Sequence, residues 1–106
     1  MPPSPTAILL ADAARRAAAY LDGLDTRPVA PSPDALSALH ALDGPLPKTG
    51  AEPAAVLDEL DRLISPATMA MAGPRFFGFV IGGALPATLA ANLLAGGRAT
   101  RIDASR

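Results

Sequence analysis

Apolar residues recur three or four apart in several stretches of this chain, and prolines separate those stretches. Leu10, Ala13, Ala14, Ala17, Tyr20, Leu21 and Leu24 make the first stripe, with Asp12, Arg15, Arg16 and Asp22 mostly off it. That spacing puts the apolar set on one helix face. Ser4-Pro5 supplies a capping hydroxyl followed by a proline at the first helical position, where its missing N–H costs nothing. A helix over Pro5–Asp22 is therefore predicted, with Gly23 and Pro28 marking its end. Ser32-Pro33-Asp34 repeats the start signal ahead of a short helix ending near Asp43-Gly44. Val56, Leu57, Leu60, Leu63 and Ile64 form a third stripe from about Pro53 to Ile64, opposite Asp58, Glu59, Asp61 and Arg62. This helix should stop at Ser65-Pro66. Leu85-Pro86 opens a fourth pattern, Ala87 to Ala95, which Gly96-Gly97 should end. No stretch alternates with period two, and Phe76 to Ile81 is short enough to fit an extended segment as well as a helix.

Between these stretches, Arg27-Pro28-Val29-Ala30-Pro31 reads as a stiff connector, because each proline fixes its own φ and pushes its predecessor toward extended geometry. Gly44-Pro45-Leu46-Pro47-Lys48-Thr49-Gly50 reads as loop. The expected fold is all-α: short amphipathic helices joined by Pro-rich connectors. Each stripe is thin for burying itself, so the chain resembles an arm that wraps something larger.

Composition supports that view. Half of the 106 residues are hydrophobic, but alanine supplies a large share and aromatics make up only 4%, so self-burial is shallow. Nine basic residues stand against ten acidic ones, which leaves no field to gather nucleic acid or an anionic membrane surface. Cysteine is absent, which removes disulfides, thiolate zinc sites and a thiol nucleophile. His40 is the single histidine and lacks a Ser or Cys constellation, so it reads as a structural or surface residue. Asp58, Glu59 and Asp61 read as the solvated face of a helix rather than as acid/base groups. Gly82-Gly83 lacks the Lys-Ser/Thr that would finish a phosphate loop. Met1-Pro2-Pro3-Ser4-Pro5 has neither a basic nor an apolar leader character, and a cytoplasmic location is expected.

The most apolar stretch is Gly73-Pro74-Arg75-Phe76-Phe77-Gly78-Phe79-Val80-Ile81-Gly82-Gly83-Ala84-Leu85-Pro86, which holds all three phenylalanines. It begins an uncharged run over residues 76–97, bracketed by Arg75 and Arg98. A run of that length, with the small-xxx-small pattern Gly78 to Gly82, suits a single-span membrane protein as the alternative reading, since roughly 20 residues cross a bilayer. Pro86, Thr88, Asn92 and the many Gly and Ala weaken lipid affinity, and arginine at both ends sets no orientation, so membrane association is not favoured.

Tyr20-Leu21-Asp22-Gly23-Leu24-Asp25-Thr26-Arg27-Pro28-Val29-Ala30-Pro31 resembles the N-terminal segment of group II pyridoxal-phosphate-dependent amino-acid decarboxylases, the aromatic amino-acid and glutamate decarboxylase relatives. Gly44-Pro45-Leu46-Pro47, Ser65-Pro66-Ala67-Thr68 and the Gly73 to Val80 stretch followed by Gly82-Gly83-Ala84-Leu85-Pro86 are similar to further landmarks of that family, in order and at similar spacing. Many members carry His where Gly73 stands. The matches cover about nine-tenths of the chain and end after Ala90-Ala91-Asn92-Leu93-Leu94. There the family has an aromatic followed by Asp-Gln-Asn, whereas this chain has Gly97-Arg98-Ala99-Thr100-Arg101-Ile102. Codons chosen for Ala99-Thr100-Arg101-Ile102 can encode Asp-Gln-Asn in another frame, which makes a frameshifted gene an expectation that sequencing decides.

The resemblance implies that residues 1–95 form the N-terminal helical dimerisation and substrate-pocket arm of a fold-type I pyridoxal-phosphate enzyme without its large α/β domain, and that 96–106 form a divergent tail. It implies a homodimer in the family, and docking of this chain to an intact decarboxylase subunit. It places Phe79, Val80, Ile81 and Gly82 at the edge of the substrate side-chain pocket, where small apolar residues would suit an uncharged or aromatic side chain. The reaction itself, amino acid to amine plus CO2, needs an aldimine lysine and an acid on the pyridinium nitrogen. The only lysine is Lys48, in the Pro/Gly loop and outside any family cofactor motif. No catalytic residue is therefore assigned, pyridoxal phosphate is not expected to bind this chain, and catalysis by it alone is not expected.

Overall fold

The computed structural model describes residues 2–73, 75 and 85–99. Among them the chain is all-helical, with no strand. The helices are α1 (Pro5–Asp22), α2 (Pro33–Ala38), α3 (Pro53–Glu59) and α4 (Pro86–Ala99).

The two Ser-Pro signals work as their chemistry requires. The Ser4 hydroxyl accepts from the Ala7 N–H at 3.1 Å, and the Ser32 hydroxyl accepts from the Ala35 N–H at 3.1 Å. Each satisfies one of the orphan donors of a first turn, and each proline follows at the first helical position. At the other end of α1, the Gly23 N–H closes on the carbonyls of Ala19 and Tyr20. Helix α2 tightens into a 3-10 turn over Leu39–Leu42 before Asp43 turns extended. Gly44 then takes a φ of 149°, a backbone conformation costly for any residue with a Cβ, and leads into the exposed loop to Gly50.

Two helix ends depart from the sequence expectation. The third helical run does not stop at Ser65-Pro66. After α3 it widens into a π-helical turn over Leu60–Ile64, then tightens into a 3-10 turn over Ser65–Ala67. Pro66 accounts for the change of winding, since it offers no N–H to the carbonyl four residues back and its ring crowds that carbonyl. Helix α4 also runs through Gly96 and Gly97 to Ala99. Glycine in a helix interior costs only about 1 kcal/mol relative to alanine, and no proline follows in the sequence.

Little of this structure is core. Among the described residues, Leu24 (8% exposed) and Ala70 (2%) are the buried apolar ones, while Leu46 in the loop is 92% exposed. The chain presents 8675 Å² to solvent, against about 5,500 Å² for a compact monomer of 10.7 kDa. Its radius of gyration is 16.4 Å, where a compact domain of this length has about 13 Å. No helix among the described residues is long and apolar enough to cross a membrane. Of the uncharged run 76–97, residues 76–84 lie outside the described set and the rest belongs mainly to α4.

Candidate functional site

Three landmarks that lie far apart in sequence meet at one corner. Tyr20 lies in the last turn of α1, and the chain then turns through Gly23, whose carbonyl accepts from the Thr26 and Arg27 N–H groups at 3.2 and 3.0 Å. This returns the Arg27 guanidinium over the Tyr20 ring, 4.7 Å from its centroid. The same guanidinium donates to the Ser65 carbonyl and lies 3.5 Å from the Ser65 hydroxyl. Arg75 donates to the Arg27 carbonyl, and the Ala70 N–H donates to the Val29 carbonyl at 2.9 Å. One arginine thus ties the end of α1 to the end of the third helical run. A second ties the connector to the approach to residue 76.

Leu24 and Ala70 fill the inside of that corner. Gly73 closes it: its N–H donates to the Ala70 carbonyl at 3.0 Å, and a Cβ added there would stand 3.2 Å from that carbonyl and 3.7 Å from Leu24 Cδ2. A glycine suits this crowded position. The fourth landmark does not join the corner, since Gly44 to Pro47 lies in the exposed loop.

A second cluster joins α1 to α3. Arg16 Nε reaches Asp12 at 3.2 Å, Arg16 Nη1 reaches Asp61 at 2.8 Å, and Arg16 Nη2 reaches Asp58 at 3.3 Å. Arg15 also pairs with Asp12, and Arg62 pairs with Asp58 at 3.5 Å. The Arg16 side chain is 20% exposed, so it faces the packed side of α1. Asp12 and Arg16, which the sequence reading put mostly off the apolar stripe, are half-buried beside it, while Arg15 and Asp22 are exposed. Of the apolar stripe, Leu24 is buried and Ala13, Tyr20 and Leu21 are half-buried, while Leu10, Ala14 and Ala17 stay exposed. The partner surface explains the placement of Arg16, because Asp58 of α3 and Asp61 of the π-helical turn stand three residues apart and one guanidinium fork answers both. Desolvation opposes the charged form of Asp12, but hydrogen bonds and charge from Arg16 and Arg15 outweigh it and hold its carboxyl below the ordinary value. The hydrogen bond to Asp61 chiefly raises Arg16. Asp58 and Asp61 are thus engaged in holding helices together.

Open apolar grooves remain beside this cluster. One, of about 470 Å³, is lined by Ala17, Tyr20, Leu21, Leu57, Leu60 and Leu89 with Arg16 and Asp61 at its rim. Another, of about 350 Å³, continues past Leu89 along Leu24, Ala72 and Pro86. Lys48 is exposed in its loop, and His40 is exposed with its Nδ1 3.1 Å from Asp43. The predicted pocket positions Phe79, Val80, Ile81 and Gly82 lie outside the described residues. Arg27 was read from sequence only as part of a connector. The signal that could have singled it out is an arginine seven residues after a tyrosine across a glycine turn, a spacing that folds the one over the other.

Compared with protein-family models, with curated proteins and with solved structures, the chain matches none.

Proposed function

We propose that this chain is the N-terminal helical arm of a pyridoxal-phosphate-dependent amino-acid decarboxylase subunit, a cytoplasmic element of a fold-type I enzyme that packs on a partner subunit and borders the substrate pocket. The observation that carries this reading is the corner. Tyr20, Arg27, Ser65 and Arg75 belong to three of the four stretches in which the chain resembles that family, and they bond to one another across 38 and 48 residues of sequence. Residues kept together by shared contacts are those a family would keep at fixed spacing. The thin core is the second support, since a surface excess of about 3,000 Å² over a compact monomer suits a segment made to be covered.

On this reading Phe79, Val80, Ile81 and Gly82 border the substrate side chain, and the corner sets where that segment leaves the helical body. The chain itself does not carry the reaction. Pyridoxal phosphate, bound elsewhere in such an enzyme, would supply the electron sink for loss of CO2. The test is to mix the purified chain with an intact group II decarboxylase and ask whether the two co-purify. Stoichiometric capture that Arg27→Ala abolishes is the expected result. Failure to associate with any of several such enzymes overturns the proposal. A titration with pyridoxal phosphate should give only a nonspecific lysine adduct, which Lys48→Arg removes; a saturable site of defined stoichiometry in that variant would contradict it.

A further inference from the structure

Two apolar stripes face each other across the boundary between α1 and the third helical run without closing. Among the described residues, a groove of about 430 Å³ lies between Leu9, Leu10 and Ala13 of α1 and Val56, Leu57 and Leu60 opposite. Further along α1, the groove of about 470 Å³ separates Ala17, Tyr20 and Leu21 from the same Leu57 and Leu60. Leu10, Val56 and Leu60 stay exposed although apolar side chains stand across from them. Such side chains ordinarily meet, because interiors leave few voids larger than a water molecule. In chain order Arg16 falls between the α1 residues of the two grooves, and it reaches across to Asp58 and Asp61.

We infer that the Arg16–Asp61 pair is a spacer: it ties α1 to the third helical run and also fixes the separation at which they stand, so charge rather than alkyl packing sets the width of the cleft. The physical reason is water. The Asp58 and Asp61 side chains remain 50% and 42% exposed while they hold the guanidinium. Drawing the two stripes together would strip that water from a guanidinium and two carboxylates, and dehydrating an ion pair can cost more than its attraction returns. The planar fork also fixes the distance, since its nitrogens answer carboxylates only in a narrow geometry. A spacer and a simple tie differ in the sign of one response. Replacing a simple tie by apolar side chains loosens the helices, whereas replacing a spacer lets Leu9, Leu10 and Ala13 close on Val56, Leu57 and Leu60. This inference rests on the geometry of the two helical runs and stands apart from the decarboxylase proposal.

The test replaces the pair in the full chain without changing net charge. In the double variant Arg16→Leu with Asp61→Leu, Asp12 keeps Arg15 and Asp58 keeps Arg62, so neither remaining carboxylate is left alone. The urea midpoint should rise above that of the parent chain. The radius of gyration from solution scattering should fall below the parent's, 16.4 Å in the structure, toward the roughly 13 Å of a compact domain. Binding of Nile red, a neutral dye with no charge to pair with Arg16, should weaken several-fold as the grooves close. Asp61→Asn alone breaks the tie and leaves the guanidinium in place, so it should lower the midpoint without contraction. A double variant with a lower midpoint and unchanged dimensions overturns the inference and makes the pair a tie only. A double variant that is stabilised without contracting overturns it too, because the gain then comes from somewhere other than closure. Loss of helical circular dichroism in the double variant also refutes it, since closure requires both helices intact.

Discussion

The corner at Tyr20–Val29 and the flank between α1 and α3 hold the same chain together by different means. At the corner, backbone groups bond to backbone groups, a guanidinium lies over an aromatic ring, and Leu24 and Ala70 leave the solvent. At the flank, a single arginine bridges three carboxylates while open grooves lie beside it. The corner is therefore a shape-dependent joint and the flank an electrostatic one. Alkyl packing and short backbone bonds should resist salt and acid, whereas partly exposed ion pairs should respond to both.

The largest effect should come from emptying the corner. Leu24→Ala removes the main buried side chain and should cost about 2–4 kcal/mol, seen as a fall in the urea midpoint; a loss below 0.5 kcal/mol, taken as roughly the level of an ordinary surface substitution, would mean the corner is not the organising joint. Arg27→Lys keeps the charge but gives up the planar fork and much of the stacking on Tyr20, and should cost about 1 kcal/mol in the same titration. Ser4→Ala should lower stability by about 1 kcal/mol through loss of the α1 cap, with faster amide exchange confined to the first turn of α1. Gly96→Ala should do the reverse for α4, adding roughly 0.5–1 kcal/mol of helix stability, readable as increased helicity; no gain would mean the helix ends before that residue.

The flank makes the pH prediction. The folded Asp12 carboxyl lies below its ordinary value of 3.8, so the stability it contributes is fully present above about pH 5 and is lost as pH falls through the lowered value. Acid should loosen α1 from α3 before it disturbs the corner. Arg16→Met should remove that acid response and much of the sensitivity of α1–α3 packing to salt. Unchanged pH dependence in the variant would show that the pair is incidental.

Local chemistry made much of this legible in advance. Ser-Pro starts and three-four spacing located α1 from Pro5 to Asp22 and the start of α2, because caps and proline positions act within one turn, and spacing with Pro53 located the start of the third run. The ends of the later helices were less legible. A helical glycine is only a bias of about 1 kcal/mol, so α4 passed over Gly96-Gly97, and Pro66 stands in the first turn of a 3-10 segment, where its missing N–H costs little. Phe79 to Gly82 were assigned to a pocket only through resemblance, and they lie outside the described residues.

What the sequence by itself determined is thus an all-helical chain on proline connectors, with too little bulky apolar material to bury its own stripes. Only the tertiary structure decided which faces meet. Arg16 turned inward because Asp58 and Asp61 wait 42 and 45 residues away, and Arg27 folded over Tyr20 because Ser65 offers its carbonyl there. Periodicity along one helix reports the polarity of a face. The identity of the surface opposite it is a long-range property that no local pattern carries.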